Sequence, residues 1–192
     1  MAPRTEKDIL REKLKQLRTE LSSSQSQKNS FAVIGRLQQF VDWSKINSVH
    51  TYLPMVQHNE IDTWSFTNWL FVSHPKIRVY TTLYKPKRPL KHALIDKTTE
   101  YQEDKLKVPS PINGQVVESQ EFDVVIVPLI GFDALKHRLG YGAGVYDRIL
   151  AEQPRAQKIG LAHEVSFVKE GLPAQEHDIP LDAIITPAII LD

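Results

Sequence analysis

The sequence contains no cysteine. That excludes disulfides, thiolate zinc sites, iron–sulfur clusters and a thiol nucleophile. Net charge is also scarce: 24 Lys and Arg stand against 23 Asp and Glu, a formal +1. No global field therefore draws the chain to nucleic acid or to a membrane surface, and any electrostatic function must come from local clustering. No apolar run approaches the roughly 18 residues that a membrane span needs. The amino terminus, MAPRTEKDILREKLKQLR, is charged throughout and lacks the apolar centre of a secretory signal. A cytoplasmic monomer with no nucleic-acid or membrane partner is expected. Familiar signatures are missing as well. There is neither GxxxxGK[ST] nor GxGxxG for a nucleotide, no HExxH spacing among the seven histidines, and no GxSxG elbow.

What is present is an ordinary globular chain of 192 residues, 41% hydrophobic and 24% charged, long enough for one domain with a real core. Leu10, Leu14, Leu17 and Leu21 recur at three- and four-residue steps. They predict a helix over 5–21, with Thr5 and Asp8 as a capping box. The polar run SSSQSQ (22–27) reads as a break before a second helix that turns Val33, Ile34, Leu37, Phe40 and Val41 inward. Strands and helices then alternate: a strand over 46–54, a helix over 61–71 with Asp62 or Thr63 as N-cap, and a strand over 76–83. Residues 84–121 read as edge strands and loops. FDVVIVPL (122–129) is continuously apolar, which predicts a central parallel strand covered on both faces. A helix over 144–152, stopped by Pro154, and strands over 157–163 and 182–190 complete the pattern. The expected fold is a three-layer α/β/α sandwich with a mainly parallel central sheet. The chain is expected to form one domain over 1–192, with the helix 5–21 packed on it.

Residues 137–148, HRLGYGAGVYDR, concentrate the chemistry. Gly140, Gly142 and Gly144 alternate with Tyr141 and Ala143, and Arg138 and Arg148 bracket them. The stretch lies at the carboxyl end of the buried strand and at the start of a helix, where open α/β sheets bind ligands. Glycines let main-chain N–H groups approach a ligand closely, and a helix start favours an anion. Asp147 would repel a bound phosphate unless a divalent cation sat between them; Mg²⁺ is held in that way. A tight strand-to-helix turn, with Arg148 paired to Asp147, is the alternative reading of the same residues.

The string also resembles the signature of the 5-formyltetrahydrofolate cyclo-ligase (5,10-methenyltetrahydrofolate synthetase) family. Val127-Pro128, Phe132-Asp133, Arg138-Leu139-Gly140-Tyr141-Gly142, Gly144 and Tyr146-Asp147-Arg148 match it in order. Lys7 and Arg11 match its N-terminal Lys-x-x-x-Arg. TYLPMVQHNEIDT (51–63), KVPSP (107–111) and EHDIPLDAIITP (176–187) match further segments, whereas 82–105 matches poorly. The resemblance implies ATP-dependent cyclisation of 5-formyltetrahydrofolate to 5,10-methenyltetrahydrofolate, with ATP and a reduced folate as small-molecule substrates and Mg²⁺ as cofactor. A divergent homologue that binds nucleotide or folate without turnover is the alternative, and another α/β enzyme acting on a phosphorylated or acyl substrate is a third.

The resemblance also assigns roles. It places Lys7, Arg11, Arg138, Leu139, Gly140, Tyr141, Gly142, Ala143, Gly144, Val145 and Tyr146 at the nucleotide. It places Arg11, Leu53, Met55, Glu60 and the loop 141–145 at the folate, Asp147 and Asp178 at the metal, and Arg138, Tyr146 and Asp147 at the reaction. On a helical wheel Lys7, Arg11 and Arg18 border the leucine stripe; cations on an ordinary surface helix would look the same. Glu60 is equally readable as a solvated loop residue, and Asp178 as a turn residue that Asp182 could replace. YKPKRPLKH (84–92) is basic and could meet the carboxylates of a polyglutamate tail through Lys85, Lys87 and Arg88, or be a solvated loop. His50, His58, His74, His92 and His137 are read as structural or surface residues. Two positions depart from the family pattern: Val145 replaces the first of two tyrosines, and Lys136 replaces a frequent glycine.

Overall fold

A computed structural model of the chain describes residues 4–83, 89–103, 108–118, 120–173 and 178–192. In chain order the elements are α1 (Glu6–Thr19), α2 (Ser23–Phe40), β1 (Ser48–His50), α3 (Trp64–Ser73), β2 (Arg78–Leu83), β3 (Lys91–Ile95), β4 (Tyr101–Glu103), β5 (Pro109–Pro111) and β6 (Gln115–Val117). They continue with β7 (Val124–Pro128), β8 (Gly131–Phe132), β9 (Arg138–Leu139), α4 (Val145–Glu152), β10 (Gln157–Leu161), β11 (Ala183–Ile185) and β12 (Ile190–Leu191).

An eight-stranded sheet runs β12-β11-β10-β7-β1-β2-β3-β6. The five strands β11-β10-β7-β1-β2 pair in parallel, and antiparallel strands close both sides. β7 is the centre. Val124 and Ile126 point into a cluster with Val33, Leu37, Phe66 and Leu70 from α2 and α3. Val125 and Val127 point the other way, toward Ile149 and Leu150 of α4. One continuous apolar run thus feeds two helical layers, and the expected three-layer sandwich with a mainly parallel sheet is what forms. α1 packs at the carboxyl edge instead, with Leu14 against Ile130, Leu139 and Val168.

The order of the strands locates a crevice. From β1 the chain crosses through α3 to β2 on one side; from β7 it crosses through α4 to β10 on the other. The segments that follow β1 and β7 therefore diverge at a switch point, where such sheets open toward ligands.

Several expectations need correction. SSSQSQ is not a break: Ser22 caps α2, its side chain and that of Gln25 forming a capping box. Serine at an N-cap and glutamine three residues on are strong helix starters, which outweigh the polar composition. The strand expected over 182–190 is a hairpin, β11 and β12, turned at Pro187 with the Thr186 amide donating to Ile189 O. The strand expected over 46–54 keeps ladder pairing only over Ser48–His50. The glycine stretch does not follow β7 directly, because the hairpin β8–β9 intervenes. Thr5 and Asp8 do form the expected capping box, and α3 uses both expected caps, with Thr63 at the N-cap and Asp62 accepting from the Trp64 amide.

Candidate active site at the carboxyl edge of the sheet

The hairpin β8–β9 delivers the glycine loop. Asp133 is buried and its carboxylate accepts from the amides of Leu135, His137 and Leu172 and from His137 Nδ1. Burial alone would raise its pKa; these donors outweigh burial and hold it below the usual carboxylate value. Lys136 takes a left-handed conformation, φ 63°, in the same turn. Arg138 then leaves the turn with its Nη1 on Ile179 O at 2.8 Å and its Nη2 on Asp147 Oδ1.

Beyond Arg138 the loop opens. Gly142 and Gly144 adopt φ of 97° and 65°, conformations that side chains oppose. Gly142, Ala143 and Asp147 are exposed. Among the described residues, the amides of 141–144 donate to no protein acceptor. Four main-chain donors beside the start of α4 suit an anion.

α1 lines this loop with three cations. Arg11 Nε donates to Gly140 O at 2.9 Å, and its guanidinium lies alongside Gly142, 3.5 Å from where a Cβ there would stand, an ordinary contact. Lys7 Nζ bonds Asp178 Oδ2 at 2.9 Å. Arg18, buried, donates to Leu129 O and to the Tyr141 hydroxyl. The wheel position of these three residues, at the border of the leucine stripe, is what brings them here.

Tyr141 reaches inward from the loop. Its hydroxyl donates to Glu60 Oε1 at 2.6 Å, and the Met55 amide donates to Glu60 Oε2 at 2.7 Å. Glu60 is thus no solvated loop residue; it is only 7% exposed. Its pKa stands above the ordinary carboxylate value: burial raises it, and the two hydrogen bonds and Arg18 offset only part of that. Asn59, left-handed at φ 47°, sets its position. The Asn59 side chain donates to Arg18 O and Leu21 O, capping the end of α1. Its carbonyl meets His163 Nε2 at 2.8 Å, and His163 Nδ1 faces Asn29 Nδ2 at 3.1 Å. Those partners select the neutral Nε2–H tautomer, and burial drops the His163 pKa to about 4. A cavity of about 10 Å³ lies among Arg18, Glu60, His163 and Ser166, room for about one water.

The family model of the 5-formyltetrahydrofolate cyclo-ligase family matches residues 3–187. The chain belongs to this family. The cyclo-ligase of Escherichia coli K12 is 44% identical over 75 residues, covering 38% of this chain and 41% of that relative. That of Haemophilus influenzae is 33% identical over 121 residues, covering 61% and 59%. The chain's matches thus span about two fifths of the first of these curated relatives. In structure, the chain is similar to the Aquifex aeolicus 5,10-methenyltetrahydrofolate synthetase, with TM-score 0.81, 24% identity, and 97% and 92% of the two chains covered. A synthetase from Mycoplasma pneumoniae gives TM-score 0.71 at 24% identity, over 95% and 99%. These two establish the shared fold.

Within this cyclo-ligase fold most of the motif residues converge. Lys7, Arg11, Arg138, the loop 140–144, Tyr146, Asp147 and Asp178 gather around the loop, and Met55 and Glu60 lie beneath Tyr141. Arg138 feels both carboxylates: burial lowers its pKa, and Asp147 and Asp178 act against that. Other expected residues turn away. Leu139 and Leu53 are buried in apolar clusters, and Val145 packs against the cluster beneath α4. These three can offer a ligand main chain rather than side chain. Asp182 sits at the opposite edge, where its carboxylate accepts from the Lys158 amide at 2.7 Å, so it does not replace Asp178. Lys85, Lys87 and Arg88 lie outside the described residues. His163 had no signal in the sequence that marked it as site-forming; Asp133 and Asn59 stood only within segments that match the family pattern, with no role assigned, and Arg18 had only its wheel position.

Proposed function

We propose that this chain carries out the ATP-dependent cyclisation of 5-formyltetrahydrofolate to 5,10-methenyltetrahydrofolate, releasing ADP and phosphate, and that its whole length acts as one domain. The carrying observation is the glycine loop: four undonated amides, three flanking cations and two carboxylates, beside a buried glutamate. The formyl oxygen is a poor leaving group. It attacks the γ-phosphorus of ATP, ADP departs, N10 then bonds the formyl carbon and gives up its proton, and phosphate leaves with that oxygen. No nucleophilic side chain is required; positioning and charge stabilisation suffice.

The residues divide the work. The amides of 141–144, with Arg11 and Arg138, receive the triphosphate. Lys7 joins them as it exchanges Asp178 for phosphate. Arg138 likewise leaves Asp147, so each cation keeps an anionic partner before and after binding. With those cations on phosphate, Asp147 and Asp178 suit a divalent cation that arrives with the nucleotide. Two carboxylates plus phosphate oxygens are a magnesium-like donor set, although the described residues hold no cluster of three protein ligands. Such a cation would neutralise developing phosphate charge. Tyr146 stays a phenol, because burial, and after it Glu60, push its pKa up; it can donate to the transferring oxygens. Glu60 suits the N–H edge of the pterin, with Met55 supplying main chain beside it. Arg11 borders both substrates. A groove of about 1080 Å³ from Arg148 to Leu83 and Leu90 could carry the rest of the folate, a polyglutamate tail included. In the family reading Val145 replaces the first of two adjacent tyrosines; it packs against the cluster beneath α4, and Tyr146 is the one of that pair that remains.

No helix is long and apolar enough to cross a membrane among the described residues; a cytoplasmic location and a monomer complete the proposal. The test is to incubate the protein with 5-formyltetrahydrofolate and MgATP and to follow the methenyl chromophore together with phosphate release. Appearance of both supports the assignment. Binding of both substrates without product would make the chain a non-catalytic homologue.

A further inference from the structure

Arg18 and Glu60 are both buried, at 2% and 7% exposure. Among the described residues neither is in direct ion-pair contact with an opposite charge. Buried ions are normally paired, so the two call for a joint explanation. Between them stands one phenol. Arg18 Nη2 lies 2.5 Å from the Tyr141 oxygen, and that oxygen lies 2.6 Å from Glu60 Oε1. A guanidinium has only donors, and an ionised carboxylate only acceptors. The phenol must therefore accept from Arg18 and give its own proton to Glu60. The chain of bonds joins α1, the glycine loop and the segment after β1. Arg18 Nη1 extends it to Leu129 O, just past the central strand.

We propose that Arg18 is a positioning residue of this site: through the Tyr141 phenol it forms a bridged ion pair with Glu60, which keeps that carboxylate ionised in its buried seat and ties the glycine loop to it. Among the described residues, the other titratable groups facing Glu60 are neutral. Tyr52, after β1, and Tyr146, on α4, are held as phenols chiefly by burial. His163, at the end of β10, shares the cavity and is neutral above about pH 4. Lys15 lies over the Tyr141 ring, 5.3 Å from its centre, and His58 is at 6.4 Å; both meet the phenol rather than the carboxylate. Arg18 is the cation that acts on Glu60. The consequence is coupling: a ligand that moves the glycine loop also moves the proton donor on which Glu60 depends.

The substrate arm of the test rests on the folate reading; the first arm does not. In the ligand-free full chain, ¹³C-detected NMR of labelled glutamate side chains follows the titration of Glu60, with Glu60→Gln identifying its resonance. The Glu60 midpoint should rise by about one pH unit, a tenfold change in proton affinity, in both Arg18→Met and Tyr141→Phe. Arg18→Lys should restore most of it, and the double variant should move it no further than Arg18→Met alone. Tyr141→Phe changes one atom and decides the matter if Arg18→Met does not fold. An unmoved midpoint in the folded variants overturns the proposal. In the second arm, the affinity for 5-formyltetrahydrofolate lost in Arg18→Met should recover as pH is raised; an equal loss at every pH also overturns it. Failure of the wild type to bind this folate would instead refute the folate reading and leave the first arm to decide the bridge.

Discussion

Lys136 offers a clean test of how the site is held. It adopts φ 63° in the turn of the β8–β9 hairpin, and it cannot relax. Its amide donates to Asp133 O at 3.1 Å, and its carbonyl accepts from the Leu181 amide at 3.0 Å. A left-handed conformation costs an L-residue about 1–2 kcal/mol. Glycine escapes that cost but gains freedom in the unfolded chain worth about 0.4–1 kcal/mol. Lys136→Gly should therefore stabilise the fold by about 0.5–1 kcal/mol. With about 2.1 cal/mol/K of unfolding entropy per residue, a chain of this length should melt about 2 °C higher. Lys136→Ala keeps the Cβ, and so the strain, and should leave the melting temperature near that of the wild type. Thermal melts checked by urea titration measure both variants. If glycine does no better than alanine, the turn is not strained as described, and the reasoning fails.

Asp133→Asn should destabilise the hairpin, since at least one buried donor loses its acceptor at about 1–3 kcal/mol; urea midpoints give the value. Because the folded pKa of Asp133 lies below the unfolded one, its contribution is complete above the unfolded value of about 4 and vanishes as pH falls through the folded value. The asparagine variant should lose that acid-dependent part of the stability curve. His163 has the same sign for a different reason. Its folded pKa of about 4 lies below the unfolded value of about 6.5, so protons bind the unfolded chain preferentially between those two values. Stability should fall by about 3 kcal/mol as pH drops across that window, and His163→Asn should flatten the fall in pH-resolved melts. Gly142→Ala, at φ 97° and with Arg11 at 3.5 Å, should cost about 1–3 kcal/mol of strain and raise KM for ATP in the coupled phosphate-release assay.

Much of the framework was readable before any coordinates. A short, valine-rich apolar run without polar interruption reads as a strand covered on both faces, and 124–128 is that strand. Glycines at 140, 142 and 144 ahead of an amphipathic helix closed by Pro154 marked the loop. Composition misled at 22–27, where Ser22 serves as the cap of α2 and Ser26 is buried on its inner face. The state of Glu60 was illegible for a deeper reason. Nothing in QHNEID distinguishes a solvated carboxylate from a buried one; the difference lies in Tyr141, 81 residues away. The Lys7–Asp178 pair spans 171 residues, and no local pattern encodes such a distance. Asn59 and His163 likewise derive their roles from tertiary neighbours alone.

The docking of α1 has a consequence for biosynthesis. Its seat is built from Ile130, Leu139, Val168 and the Asp178 carboxylate, all in the last third of the chain. α1 therefore has no complete surface to land on until the residues through Asp178 have been synthesised. Because domains tend to fold from the amino end as they emerge, this segment must wait, leucines uncovered, while the sheet assembles behind it. Competence of the nascent polypeptide should then arrive in a single late step, when α1 meets a segment made 171 residues after Lys7.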